Sequence, residues 1–173
     1  IVGPFEPIER HADLTQQLDY EGELAIIIGT TGRDLSPENA LDHVFGYSIV
    51  NDVTARDLQK EHVQFFRGKS LDGFCPFGPV IVSADSFDPS DVLVETRVNG
   101  QLRQSGSTAL MLRDVVRILV EVSRGMTLEA GDIIATGTPA GVGHGMKPPV
   151  YLQTGDVVEV SIEGIGRLQN EVQ

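Results

Sequence analysis

Apolar residues recur at sustained helical spacing over one stretch of this chain: Leu112, Val115, Val116, Leu119 and Val122, with Gly125 beyond them as a helix stop. Elsewhere the apolar runs are short. They alternate with polar residues at period two or consist of β-branched side chains, and 19 glycines and 9 prolines break them up. Such a chain must satisfy its backbone mainly by pairing strands. We therefore expect an α+β fold, mostly β, with one substantial helix of about four turns starting after Ser107 or Thr108.

The expected strands can be placed. Leu24–Ile28, rich in isoleucine, fits a strand buried on both faces. Tyr47–Val50 and Val80–Val82 read as further strands. Val94, Thr96 and Val98 alternate with Glu95 and Arg97 ahead of Asn99-Gly100, a strong hairpin-turn signal. Ile133–Ala135 follows Gly131-Asp132, and Val158, Val160 and Ile162 lead into a last hairpin through Gly164 and Gly166. Ser36, as N-cap before Pro37, is expected to start a short helix toward Val44, and Val53 to Phe66 a short helix and loop. No repeat, low-complexity tract or linker divides the 173 residues, so we expect one domain over 1–173, long enough to bury about two thirds of its unfolded surface.

Charge and cysteine usage narrow the partners. With 13 Lys and Arg against 25 Asp and Glu, the net charge of −12 repels phosphate backbones and anionic lipid, so no nucleic-acid or membrane partner is expected. No apolar run approaches the roughly 20 residues of a membrane-spanning helix. The single Cys75 forms no internal disulfide, which fits the reducing cytoplasm. The stretch Ile1 to Arg10 has neither a basic nor an apolar region of the signal-peptide kind.

Three groups of residues carry candidate chemistry. Glu21 and Glu23 stand two apart, so on a strand they share one face, with Cα atoms about 6.5–7 Å apart. If the strand ending at Asp52 pairs alongside, three carboxylates meet. Such hard oxygen donors suit Mg²⁺ or Mn²⁺ better than Zn²⁺, with Ca²⁺ also accommodated. The competing reading makes Asp19, Glu21 and Glu23 the solvated face of an edge strand. Lys69, in Gly68-Lys69-Ser70, belongs to no P-loop, because Val63 occupies the first glycine position. It is either a fixed charge for an anionic substrate or a surface lysine. The loop Thr136 to Gly143 offers glycines, hydroxyls and free amides for a carboxylate, or is a set of tight turns. No zinc spacing, nucleophile elbow or dinucleotide fingerprint is present.

These motifs, in order, resemble the fumarylacetoacetate hydrolase family: Asp19-Tyr20-Glu21-Gly22-Glu23-Leu24-Ala25, Gly46-Tyr47, Asn51-Asp52-Val53-Thr54-Ala55-Arg56-Asp57-Leu58-Gln59, Gly68-Lys69-Ser70-Leu71-Asp72-Gly73-Phe74, Val98-Asn99-Gly100, and Ile134 through Gly143. The resemblance runs from about Leu18 to Val172. It implies a rolled mixed β-sandwich of the family's C-terminal-domain type, commonly a homodimer. It also implies Glu21, Glu23 and Asp52 as ligands of Mg²⁺ or Mn²⁺ (Ca²⁺ in some members), Lys69, Arg56 and Gln59 as catalytic and pocket residues, and Gly137 and Thr138 as carboxylate-binding residues.

The implied activity is metal-dependent enolate chemistry on a small 2-oxo or β-diketo dicarboxylic acid. The outcome would be C–C hydrolysis of an acylpyruvate, isomerisation of a hydroxymuconate-type or 2-hydroxyhepta-2,4-diene-1,7-dioate acid, or decarboxylation of oxaloacetate. The family's upstream Tyr-Ala-x-His segment and water-activating lid have no counterpart before Asp19, and the abrupt Ile1 leads us to expect that such a segment precedes this chain. A chain without a lid would instead be a non-catalytic, metal-dependent binding module.

Overall fold

The computed structural model describes residues 1–173. Its strands are β1 (Leu18–Asp19), β2 (Gly22–Ile28), β3 (Val44–Asn51), β4 (Thr54–Ala55), β5 (Phe77–Ser83), β6 (Leu93–Val98), β7 (Gln101–Ser107), β8 (Ile133–Ala135), β9 (Val157–Ile162) and β10 (Gly166–Glu171). The α-helices are α1 (Arg56–Glu61), α2 (Phe66–Lys69) and α3 (Val115–Ser123). One sheet has the order β5-β3-β2-β8, a second β10-β9-β6-β7, and β1 pairs with β4. These ladders are antiparallel; the parallel pairings are the isolated bridges of Val2 with Pro76 and Ile8 with Val172.

The two four-stranded sheets face each other because β2 alternates. Leu24, Ile26 and Ile28 enter one core cluster with Tyr47 and Ile49 of β3 and with Val94, Val160, Ile162 and Leu168 of the opposite sheet. All seven residues of β2 are buried, and β3 and β8 flank it on either side. The edge-strand reading of Glu21 and Glu23 is therefore overturned: β2 is an interior strand, and Asp19, read there as solvated, has no exposure. Asn99 and Gly100 both take positive φ (52° and 77°), so β6 turns into β7 as the dipeptide predicts.

Two helix expectations need correction. The long helix begins later than the periodicity predicts and has nine residues, about two and a half turns. Thr108–Leu110 instead form a 3-10 helix that the extended Met111 ends, and Asp114 then caps the α-helix by accepting the Arg117 N–H at 2.8 Å. Val115 and Leu119 enter the core, whereas Leu112 lies ahead of the helix, 95% exposed. After Ser36-Pro37 the chain makes a turn closed by Asn39 Oδ1 on the Ser36 N–H (2.8 Å), then a 3-10 helix over Ala40–His43. Ala40 is its one buried residue, too little apolar face to sustain an α-helix. No helix is long and apolar enough to cross a membrane.

Candidate metal centre

Register assembles the site. Gly22 of β2 pairs with Asn51 of β3, which sets Glu21 beside Asp52 where the ladder ends. Two bonds hold that junction: the Asp52 N–H donates to the Glu21 carbonyl (2.8 Å), and the Glu21 N–H donates to Asn51 Oδ1 (3.0 Å). With Glu23 on the same face as Glu21, the three residues bring ligand oxygens within 4.8 Å of one another. Glu23 is 3% exposed, and the hydrogen bond its carboxylate accepts comes from the Gly137 N–H at 2.6 Å. A buried carboxylate beside two others is costly unless a cation shares their oxygens, so the donor set fits a hard divalent ion.

The same crowding appears in the titration behaviour. Burial pushes Glu23 up to about 8; the Gly137 N–H opposes this, and the charges of Asp52 and Glu21 add to it. Burial likewise raises Asp52, against the stabilising contact with Lys69. A raised carboxyl means that the folded state holds its proton more tightly than the unfolded chain does. Stability from protonated Glu23 is thus complete below the ordinary value of 4.5 and is lost as pH rises to about 8. The chelator-treated protein should melt at a lower temperature at pH 8 than at pH 6, and saturating Mn²⁺ should remove most of that difference. Thermal melts across this range, with and without Mn²⁺, check it.

Both sequence-predicted cations reach the cluster, and both are already paired. Lys69 ends α2 and donates to Glu21 Oε2 (2.9 Å), Thr54 Oγ1 (3.1 Å) and Asp52 Oδ2. Burial lowers its pKa, but the bonds to Asp52 and Glu21 more than offset this and hold it as an ammonium. Arg56 opens α1 and is 8% exposed. Its Nε donates to Asp19 Oδ2 (2.9 Å), one terminal nitrogen lies 2.7 Å from Glu21 Oε1, and the other donates to Gln59 Oε1 (3.3 Å). Gln59, one turn on, lines a polar groove with Arg56, Gln17, His144 and Tyr151.

Gly137 and Thr138 sit on the opposite side. The Thr138 hydroxyl donates to the Gly22 carbonyl (2.9 Å) and accepts from Gln104 Nε2 (2.7 Å), which ties the loop to β2. Gln104, fully buried, closes this network by accepting the Gly22 N–H at 3.1 Å. Beyond the loop lies a cleft of about 560 Å³ walled by Leu24, Val94, Met111, Ile118 and Pro139. Sequence reasoning missed Asp19, Thr54 and Gln104 as parts of this arrangement. Asp19 continues the alternation of Glu21 and Glu23, which was a usable signal. Gln104 had none, because its partners are distant in sequence.

Comparison with known proteins identifies the family of the chain. The family model for the fumarylacetoacetate (FAA) hydrolase C-terminal region matches residues 1–173. Oxaloacetate tautomerase YisK of Bacillus subtilis is 56% identical over 173 residues, covering 99% of this chain and 58% of the relative, so the chain spans a little over half of that protein. A solved structure of fumarylacetoacetate hydrolase (EaFAH) from psychrophilic Exiguobacterium antarcticum is 89% identical with a TM-score of 0.99, over 99% of this chain and 62% of that one. A 2-hydroxyhepta-2,4-diene-1,7-dioate isomerase structure from Mycobacterium marinum is 47% identical with a TM-score of 0.91, over 99% of this chain and 64% of the other. With a family match along its full length and relatives this similar, the chain belongs to the fumarylacetoacetate hydrolase family.

Proposed function

We propose that residues 1–173 form the catalytic domain of an enzyme that binds Mg²⁺ or Mn²⁺ through Glu21, Glu23 and Asp52 and interconverts the keto and enol forms of a small 2-oxo dicarboxylic acid, oxaloacetate being the first substrate to test. The observation that carries this reading is the convergence of the three carboxylates from paired strands, with oxygens within 4.8 Å of one another. An ion held by Glu21, Glu23 and Asp52 would supply a Lewis acid that favours the enolate form of the 2-oxo acid.

The chain's own groups do the rest. Lys69, steered by Glu21, Asp52 and Thr54, keeps a positive charge at the substrate's oxygens. Gly137 orients Glu23 through its N–H, and Thr138 fixes the loop that meets the substrate carboxylate. Gln59, held against Arg56, faces the groove that takes the distal end. The reading includes a homodimer in the cytoplasm, the former checked by light scattering.

Similarity to the tautomerase supports the keto–enol reaction. The 89% identity to a protein named as a fumarylacetoacetate hydrolase favours C–C hydrolysis of a β-diketo acid, an acylpyruvate being the member of that class to test, as the second reading. The discriminating experiment follows oxaloacetate enol absorbance and acylpyruvate cleavage with and without Mg²⁺ or Mn²⁺. Metal-dependent enol decay without pyruvate release supports tautomerisation, pyruvate release from oxaloacetate indicates decarboxylation, and acylpyruvate cleavage alone indicates the hydrolase. Metal binding with no turnover of either marks a binding module.

A further inference from the structure

We propose that Asp19 is a positioning residue of this centre, holding the Arg56 guanidinium away from full pairing with Glu21 so that Glu21 can grip a cation; this rests on the reading of Glu21, Glu23 and Asp52 as metal ligands. Asp19 has no solvent exposure. Its Oδ1 accepts the N–H groups of Tyr20 (3.0 Å) and Gly143 (2.8 Å), and its Oδ2 accepts the His144 N–H (2.9 Å) and Arg56 Nε (2.9 Å). Four donors fill the acceptor capacity of one carboxylate, so it cannot rotate without breaking hydrogen bonds. The backbone approach is close: a Cβ on Gly143 would lie 2.9 Å from Asp19 Oδ1 and 1.9 Å from the Val150 carbonyl.

The consequence falls on Arg56. Its buried charge is divided between Asp19, through Nε, and Glu21, through one terminal nitrogen at 2.7 Å. Without Asp19, Glu21 becomes the guanidinium's one carboxylate partner. A buried arginine then takes that partner in a two-pronged pair, because an unpaired buried charge costs more than the rearrangement. Glu21 oxygens committed to Arg56 are withdrawn from the metal. Asp19 thus acts on the ion through a second residue, without touching it.

The test is calorimetric titration of Mn²⁺ into the wild-type chain, D19N, R56Q and D19N/R56Q. Asp19→Asn keeps the shape but turns an amide toward donors that need an acceptor. Mn²⁺ affinity is expected to fall about 10–100-fold in D19N. In the wild-type chain the buried Arg56 Nε–H, bonded to Asp19, should give a slowly exchanging resonance, and in metal-free D19N that resonance should disappear. With the cation removed the carboxylate loses its task, so D19N/R56Q should bind Mn²⁺ within about twofold of R56Q. That comparison decides the matter even where D19N alone does not fold. Wild-type affinity in D19N, or a further tenfold loss in the double variant, overturns the proposal. A wild-type chain that binds no Mn²⁺ overturns the metal reading and this proposal together, while the Arg56 resonance still reports whether Asp19 holds the guanidinium.

Discussion

Glu21→Gln is expected to abolish divalent-cation binding and metal-dependent turnover together, while leaving a folded protein. Glu21 is the most heavily used carboxylate of the cluster. Its Oε1 lies 2.7 Å from Arg56 and its Oε2 accepts from Lys69 at 2.9 Å, and it also supplies one of three oxygen donors converging within 4.8 Å. An amide there removes one negative charge and turns an NH₂ toward one of two cations. Loss of an outer partner of a ligand costs about 10–100-fold, and loss of a ligand is expected to exceed that range. The fold should persist, because Arg56 keeps Asp19 and Lys69 keeps Asp52. Calorimetry with Mn²⁺, the oxaloacetate assay and a thermal melt of the metal-free variant check the three parts. Wild-type turnover would remove Glu21 from the ligand set.

Gly22→Ala is expected to damage stability and metal affinity through packing rather than charge. A Cβ on Gly22 would stand 2.2 Å from Thr96 Oγ1 and 2.8 Å from Val160 Cγ1. Neither neighbour can retreat, since Thr96 is fully buried and Val160 is 1% exposed between the sheets. Overpacking of this kind costs about 1–3 kcal/mol and sometimes more. In a chain of this length each kcal/mol lowers the melting temperature by roughly 2–4 °C. The strand that must shift carries Glu21 and Glu23 on either side of the substitution, and it is anchored at Gly22 by Gln104 and Thr138. Weaker Mn²⁺ binding should therefore accompany the lower melting temperature. An unchanged melt would mean that the two sheets are less closely apposed at this point.

Much of this was legible in local pattern. The Ile26–Ile28 run marked a strand buried on both faces, Asn99-Gly100 marked the β6–β7 hairpin, and the two-residue spacing of Glu21 and Glu23 put both on one face. Such features depend on neighbours in the chain, and chain geometry alone dictates them. Where two local preferences competed, pattern failed. Apolar spacing from Leu112 favoured an earlier helix start, but Thr108–Leu110 close as a 3-10 helix, Met111 is extended and Asp114 caps the α-helix, which leaves Leu112 outside it and exposed. Ser36-Pro37 looked like a helix start, yet the segment behind it had no apolar face to bury.

The candidate site divides along the same line. The amino-acid sequence by itself determined which residue types were available, a mostly β fold with one principal helix, and the shared face of Glu21 and Glu23. The tertiary structure decided that β2 is interior rather than an edge, that Asp52 arrives beside Glu21, that Lys69 and Arg56 are already engaged with carboxylates, and that Asp19 is buried against Gly143 and His144. The physical reason is range: side-chain alternation acts over two residues, whereas burial and charge pairing are set by whichever distant segments pack against them, here 124 and 125 residues apart for Asp19 with Gly143 and His144.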